Sequence, residues 1–385
     1  MEQVIKIFIA LVRSEILEEP LDPKILKKIT PETLEELYMV SKNHDLAHVV
    51  AVALKKHGLM KHDKFSKKYV KQMHAALMRY ESIKHEQNQI YQVFEKEGIT
   101  FVPLKGSVIR KYYPDRWMRT STDIDILVKE KELEKAKAAL KKKLEYAEGR
   151  QRYHDVSMYA PSGVLLELHF QITENMKNID KSLKKVWNYV KPMEEGRYRS
   201  VMTPEYLLFH SYAHMVYHFV NGGCGVRFVV DSWILEHSLT YDEAVFWKLC
   251  KESKIDTFVE SVRKLARIWF ADEKHNDMSK KMQTYIITGG VFGTMETKVM
   301  ARKTQTAGHY RYLLTRVFIP YQEFCSSYPI LEKMPWLYPY YAVKRLFKIF
   351  NKQIARNAVQ EIQMNKNIQQ NDIDQLKQLF KELKL

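Results

Sequence analysis

Apolar positions recur at helical spacing over most of the 385 residues, and alternate with a period of two only in the middle of the chain. Thr30-Pro31 predicts an N-cap and first-turn pair that opens a helix. Leu46–Leu54 is apolar and runs out near Gly58. Leu77, Tyr80, Ile83, Ile90 and Phe94 fall close to one stripe, which predicts a long helix over Met73–Lys96 with Gly98 as its C-cap. Ile99–Val102 and Thr122–Val128 read as strands, with a helix at Ser107–Tyr113 between them. Lys131–Lys143 reads as an amphipathic helix with Leu133, Ala136 and Leu140 inward, and Lys141–Lys143 suits its C-terminus. Tyr146–Arg150 is expected to begin a turn. Tyr153–Tyr159 and Val164–Ile172 read as strands joined by the turn Ala160-Pro161-Ser162-Gly163.

From Asn175 onward the helical period returns. Thr203-Pro204-Glu205 opens a helix, Asn221–Gly225 is a loop, and Tyr241–Ile255, Asp256–Phe270 and Ile373–Leu383 are helical. Gly289 to Gly308 reads as irregular. Phe318–Phe350 is rich in aromatics, with Lys344, Arg345, Lys348, Lys352 and Arg356 interleaved or following. An amphipathic helix packed back on the domain is the favoured reading there, ahead of membrane-surface or nucleic-acid contact. The fold class this predicts is α+β. A small mixed sheet of about four or five strands, with helices on one face, occupies a core over residues 98–175. It lies between an N-terminal helical region (1–97) and a C-terminal helical domain (176–385).

Hydrophobic content of 45% and charged content of 28% are ordinary for a globular protein. A net charge of +16 attracts polyanions, so nucleotides, nucleic acid and anionic lipid are the partner classes it favours. Cys224, Cys250 and Cys325 are far apart, which speaks against a disulfide framework or thiolate zinc site and fits a reducing compartment. Ile5–Val12 is too short to span a bilayer, and no other run approaches the roughly 20 apolar residues a span needs. A cytoplasmic protein without a transmembrane segment is expected.

The candidate chemistry lies in Phe101–Val128. On a strand, Asp123 and Asp125 point to the same face while Ile124 and Ile126 point to the other. Two carboxylates side by side repel and lose solvation unless a cation lies between them, and hard oxygen ligands suit Mg²⁺. Upstream, Gly106-Ser107 at a strand-to-helix turn offers backbone N–H groups and a hydroxyl to an anion, and Lys105, Arg116 and Arg119 add positive charge. In the later strand, Leu165, Glu167 and His169 share a face. A glutamate inside an apolar strand needs a partner, either a Lys or Arg at the strand edge or a shared metal site. His154 and Asp155 are weaker candidates on the neighbouring strand. His44 and His48 read as helix surface or core, and Lys64, Lys67, Lys68 and Lys71 as a solvated face. His210, His214 and His218 form one stripe at i, i+4, i+8. An H-x₃-H pair can bind zinc, yet the residue after His214 is Met215, not the glutamate of a metalloprotease. A zinc hydrolase is therefore only a third reading.

The stretch LKGSVIRKYYPDRWMRTSTDIDILV resembles the catalytic core of the nucleotidyltransferase superfamily that includes DNA polymerase beta and the aminoglycoside nucleotidyltransferases. More closely, it resembles a bacterial family of uncharacterised nucleotidyltransferases. The matching residues are Leu104-Lys105-Gly106, Arg119, Asp123, Asp125 and Glu167-Leu168-His169, with Lys105 where a first glycine often stands. The resemblance implies that Asp123, Asp125 and Glu167 are catalytic and hold Mg²⁺ in a two-metal site. It implies that Lys105, Gly106, Ser107 and Arg119 bind the nucleotide. It also implies transfer of NMP from an NTP, such as ATP, to a hydroxyl-bearing acceptor (small molecule, protein or RNA), with release of pyrophosphate. His169 becomes a near-site residue. His214, His218, Arg227 and Asp231 match a family pattern, and either line the acceptor side of the cleft or form a buried polar network between helices. The alternative is a catalytically silent, basic nucleotide- or RNA-binding protein with the same fold.

Overall fold

A computed structural model of the chain describes residues 1–60, 64–291, 293–305, 321, 324, 325, 328, 330–347 and 368–385. Helices α1 (Glu2–Leu17), α2 (Pro23–Leu26), α3 (Pro31–Asn43), α4 (Ala47–Lys56) and the 33-residue α5 (Lys64–Lys96) come first. Then follow β1 (Phe101–Pro103), the four-residue α6 (Gly106–Ile109), β2 (Asp123–Val128), α7 (Leu133–Leu144), β3 (Ala147–Gln151), β4 (Asp155–Tyr159) and β5 (Leu165–His169). After α8 (Lys177–Leu183), a ribbon of β6 (Val190–Pro192) and β7 (Ser200–Met202) leads into α9 (Pro204–Val220) and α10 (Val226–Ser238). The chain continues through α11 (Glu243–Glu252), α12 (Asp256–Phe270), α13 (Asp277–Gly289) and α14 (Met295–Gln305), and a helix over Gln370–Glu382 comes last among the described elements. No helix among the described residues is long and apolar enough to cross a membrane.

Local chemistry sets several boundaries. Thr30 and Thr33 form a capping box with Pro31 in the first turn of α3. Gly98 ends α5 at φ +65°, where glycine carries no Cβ penalty. Tyr113 precedes Pro114 and is forced to extended backbone, so the stretch after Gly106 makes one α-turn and a 3₁₀ turn (Arg110–Tyr112) instead of the helix expected over Ser107–Tyr113.

The five strands lie in the order β1-β2-β5-β4-β3. β2 and β5 are parallel and the other pairs antiparallel. One face carries Ile124, Ile126, Leu166, Leu168, Val156 and Met158 and packs on α5 and α7 in a closed apolar core. Leu127 and Val102 point the other way, into a second core shared by the N-terminal helices and α9–α13. Helices encoded before and after the sheet thus bury one another, and the polar face of the sheet looks into the angle between them.

Besides the shortened helix after Gly106, α5 begins at Lys64 rather than Met73, taking in Lys64, Lys67, Lys68 and Lys71, and the elements differ from expectation in three further places. Tyr146–Arg150 is not the start of a turn: Ala147–Gln151 is the edge strand β3, exposed throughout and therefore without the alternation that marks a half-buried strand. The β6–β7 ribbon interrupts the region read as helical, with only three residues in each strand. Residues 295–305 of the stretch read as irregular form α14. The rest of that reading, at 292 and 306–308, and much of the basic aromatic stretch, including Lys348, Phe350, Lys352 and Arg356, lie outside the described residues.

Candidate active site

β2 and β5 build the centre of the site. Their parallel register sets Asp125 opposite Glu167, and alternation turns Asp123, Asp125, Glu167 and His169 to the same face. That face lines a cleft of about 550 Å³, whose opposite wall comes from α9 and α10. Asp125 is 4% exposed and is the hub. Lys105 Nζ donates to Asp125 Oδ1 at 2.8 Å, and His169 Nε2 lies 2.9 Å from the same oxygen. An ionised carboxylate only accepts, so the His169 proton is assigned to Nε2. Burial alone would raise Asp125, but Lys105 and His169 outweigh it and hold the carboxyl well below the ordinary range. Asp123 has no such partners: burial first, then the charge of Asp125, push it up to about 6.

The turn that delivers Lys105 is a type II′ turn. Ser107 N–H donates to Leu104 C=O at 3.1 Å, and Lys105 takes φ 46°, ψ −123°. That conformation belongs to glycine. Here the ammonium is gained at the expense of backbone strain of roughly 1–3 kcal/mol. Lys105→Gly and Lys105→Ala both lose the ammonium, but only glycine relaxes the turn. In urea unfolding the glycine variant is expected to be about 1 kcal/mol more stable than the alanine variant; equal midpoints would refute the strain. At Gly106 a Cβ would approach Ser121 Cβ to 3.1 Å, so this backbone stays bare against the β2 entry.

Other expected residues are placed as follows. Ser107 does not line the cleft, and its Oγ is buried without a hydrogen-bond partner. Arg116 is exposed outside the cleft. Arg119 lines the cleft, but its guanidinium is committed: Nε lies 2.9 Å and Nη2 2.9 Å from the two oxygens of Asp231, and Nη1 donates to Thr120 C=O. Tyr113 Oη also donates to Asp231, at 2.6 Å. Arg227 donates to Asp45 at 3.0 Å. Arg227 and Asp231 therefore stand on the cleft wall with their charges answered from the segment before β2 and from the α3–α4 turn. His44 and His48 are core residues, the latter 2.8 Å from Met118 C=O.

Glu167 is met by Arg152, whose Nη2 donates to Oε1 at 2.9 Å while its Nε lies 3.3 Å from Asp155. Asp155 is fully buried and aligned with His169 across β4–β5. His154 lies 3.1 Å from Asp155 Oδ2. Either Asp125, Glu167 and His169 or His154, Asp155 and His169 are close enough for three-residue metal ligation.

On the opposite wall, His214 Nδ1 lies 2.8 Å from Glu174 Oε1, and His214 Nε2 lies 3.2 Å from His218 Nε2. Burial is the main cause that lowers His210, His214 and His218 to about 3, so all three are neutral, and burial also raises Glu174. Glu174 and Arg152 were missed by the sequence reading. Both sit in non-periodic segments next to strands, where alternation assigns no face.

Hard oxygen donors on one strand face, together with a carboxyl driven up by burial and by its neighbour's charge, fit a divalent cation. No curated protein and no solved structure matches the chain. Residues 30–271, more than half of the chain, match the family described as uncharacterised nucleotidyltransferase, and the match takes in both walls of the cleft. The chain with this Asp-x-Asp strand, Lys-Gly turn and Glu-Leu-His strand belongs to the uncharacterised nucleotidyltransferase family, with the general nucleotidyl-transfer role that this implies.

Proposed function

We propose that the protein transfers NMP from an NTP to a hydroxyl-bearing acceptor in a Mg²⁺-dependent reaction that releases pyrophosphate. The observation that carries this reading is the alignment of Asp123 and Asp125 on β2 with Glu167 on β5, at the mouth of the Lys105-Gly106 turn. Asp123 and Asp125 would hold Mg²⁺, and Glu167 would join them once Arg152 yields its oxygen. Bound there, Mg²⁺ supplies charge neutralisation for the phosphates and a lowered pKa for the attacking hydroxyl.

The chain's own residues do the rest. Lys105 already carries its charge into the cleft, where Asp125 and Glu167 keep it protonated against burial. It is the residue best placed to draw the triphosphate to the aspartates. Gly106 lets the phosphates approach backbone. With α6 only one turn long, Lys105 contributes more than a helix dipole does. His169 fixes the rotamer of Asp125. Arg152, half-exposed between two carboxylates, is suited to exchange them for phosphate oxygens. The α9 wall, with Glu174, His214 and His218, faces the carboxylates from across the cleft and forms the acceptor side. In-line attack of the acceptor oxygen on the α-phosphorus forms the new P–O bond and breaks the bond to pyrophosphate, with the hydroxyl proton passing to a cleft carboxylate.

The test is incubation of the pure protein with each labelled NTP and Mg²⁺, with and without cell extract, beside an Asp123→Ala/Asp125→Ala control. Label passing to an acceptor with stoichiometric pyrophosphate, and lost in the control, is expected. Tight NTP binding without transfer to any acceptor class would favour the silent binding protein instead.

A further inference from the structure

We propose that His214 and His218 form a second cation site, separate from the aspartates, that takes a zinc-class transition metal on the α9 wall of the cleft. The two Nε2 atoms stand 3.2 Å apart on successive turns of one helix. Two nitrogens bound to one tetrahedral ion at about 2.0–2.1 Å each are separated by about 3.3 Å. The pair therefore already has the bite of such an ion.

The other ring nitrogen of His214 is occupied as a metal ligand requires. Glu174 Oε1 lies 2.8 Å from His214 Nδ1, which places the proton on Nδ1 and leaves Nε2 bare toward His218. A carboxylate behind a ligating histidine orients the ring and makes it more basic. The sequence has Met215 where a metalloprotease motif would place its glutamate, but the fold brings a glutamate in from the segment after β5. His210, one turn earlier on the stripe, is 2% exposed and lines the cleft, and its Nε2 is buried without a hydrogen-bond partner.

Phe228 packs against both imidazoles, with ring centroids 5.9 and 5.1 Å away, and limits how far the pair can swing. Without an ion, one proton must lie between the two Nε2 atoms. On metal binding that proton moves to His218 Nδ1, so charge and atoms balance without a net release. Two protein nitrogens leave further positions open to the cleft, for water or an oxygen of a bound ligand. Imidazole nitrogen prefers zinc-class metals and carboxylate oxygen suits Mg²⁺, but His169, shared by both three-residue groups near the aspartates, offers a competing nitrogen there, so the titration is also run on His169→Ala protein.

The experiment needs no nucleotide, so its outcome is independent of the transfer reaction. Chelator-treated full-length protein in excess Mg²⁺ is titrated with Zn²⁺ by calorimetry, and with Co²⁺ by visible absorption. One zinc per chain is expected in the His169→Ala protein, where the competing imidazole is gone. Glu174→Gln should weaken it by about 10- to 100-fold, His214→Ala and His218→Ala by more, and Asp125→Asn should leave it in place. His218→Cys keeps a ligand and should retain the ion, which separates lost ligation from lost folding. Zinc affinity in the His214→Ala/His218→Ala protein equal to wild type, or no zinc bound by wild type, would overturn the site.

Discussion

Asp123→Asn is expected to abolish transfer while leaving the fold as stable as wild type or more so, whereas Asp125→Asn abolishes transfer and weakens the fold. The two aspartates sit one residue apart on β2, yet their surroundings are opposite. Asp125 is held by Lys105 and His169 and answers their charge and proton. Removing its charge leaves a partly buried ammonium without its hydrogen-bonded counter-ion, with only Glu167 and Glu174 to act on it from further off, a loss of about 2–3 kcal/mol. Asp123 is raised to about 6 by burial and by Asp125. Its folded pKa lies above the ordinary 3.8, so the folded state holds the proton more tightly. Its contribution to stability is therefore fullest below pH 4 and is lost as pH rises toward 6. At neutral pH the charged carboxylate costs the fold on the order of 2 kcal/mol, and an asparagine removes that cost.

Urea unfolding in EDTA at pH 5 and pH 7 checks this. Wild type should lose more stability across that interval than Asp123→Asn. Mg²⁺ should restore wild type at pH 7 and do little for the variant. Equal destabilisation by both substitutions would show that the pair acts as one unit.

That asymmetry also shows how much of the site the sequence carried. The period of two through Asp123–Val128 and Leu165–His169 fixes which residues of each strand share a face, and the parallel register of β2 and β5 then sets Asp125 opposite Glu167. The long α5 stripe, its glycine cap and the Ala160–Gly163 turn were legible because each depends on neighbours within a few residues. What the local pattern does not encode is which charge meets which. Lys105 and Asp125 are 20 positions apart, Arg152 meets Glu167 across a strand pair, and Glu174 reaches His214 over 40 positions. Short or fully exposed strands were missed for the same reason: β3, β6 and β7 offer no alternation to read.

The same limit governs Arg119, which stands before the Asp-x-Asp strand as a phosphate ligand would but is spent on a partner 112 positions away. Asp231 is 2% exposed and accepts from Arg119 and Tyr113. Asp231→Ala should therefore cost about 3–5 kcal/mol, because it strands a buried guanidinium. Arg119→Met strands the carboxylate, with only the Tyr113 hydroxyl left to it, and should cost a similar amount. The double variant Arg119→Met/Asp231→Leu replaces the whole pair by apolar volume and is expected to recover at least half of either loss. NTP affinity then separates the two roles of Arg119. If it positions the segment before β2 through Asp231, the single variants weaken NTP binding alike and the double variant regains it along with stability. If Arg119 itself grips phosphate, every protein lacking it stays weak, and Asp231→Ala, with its arginine released into the cleft, binds the nucleotide at least as tightly as wild type.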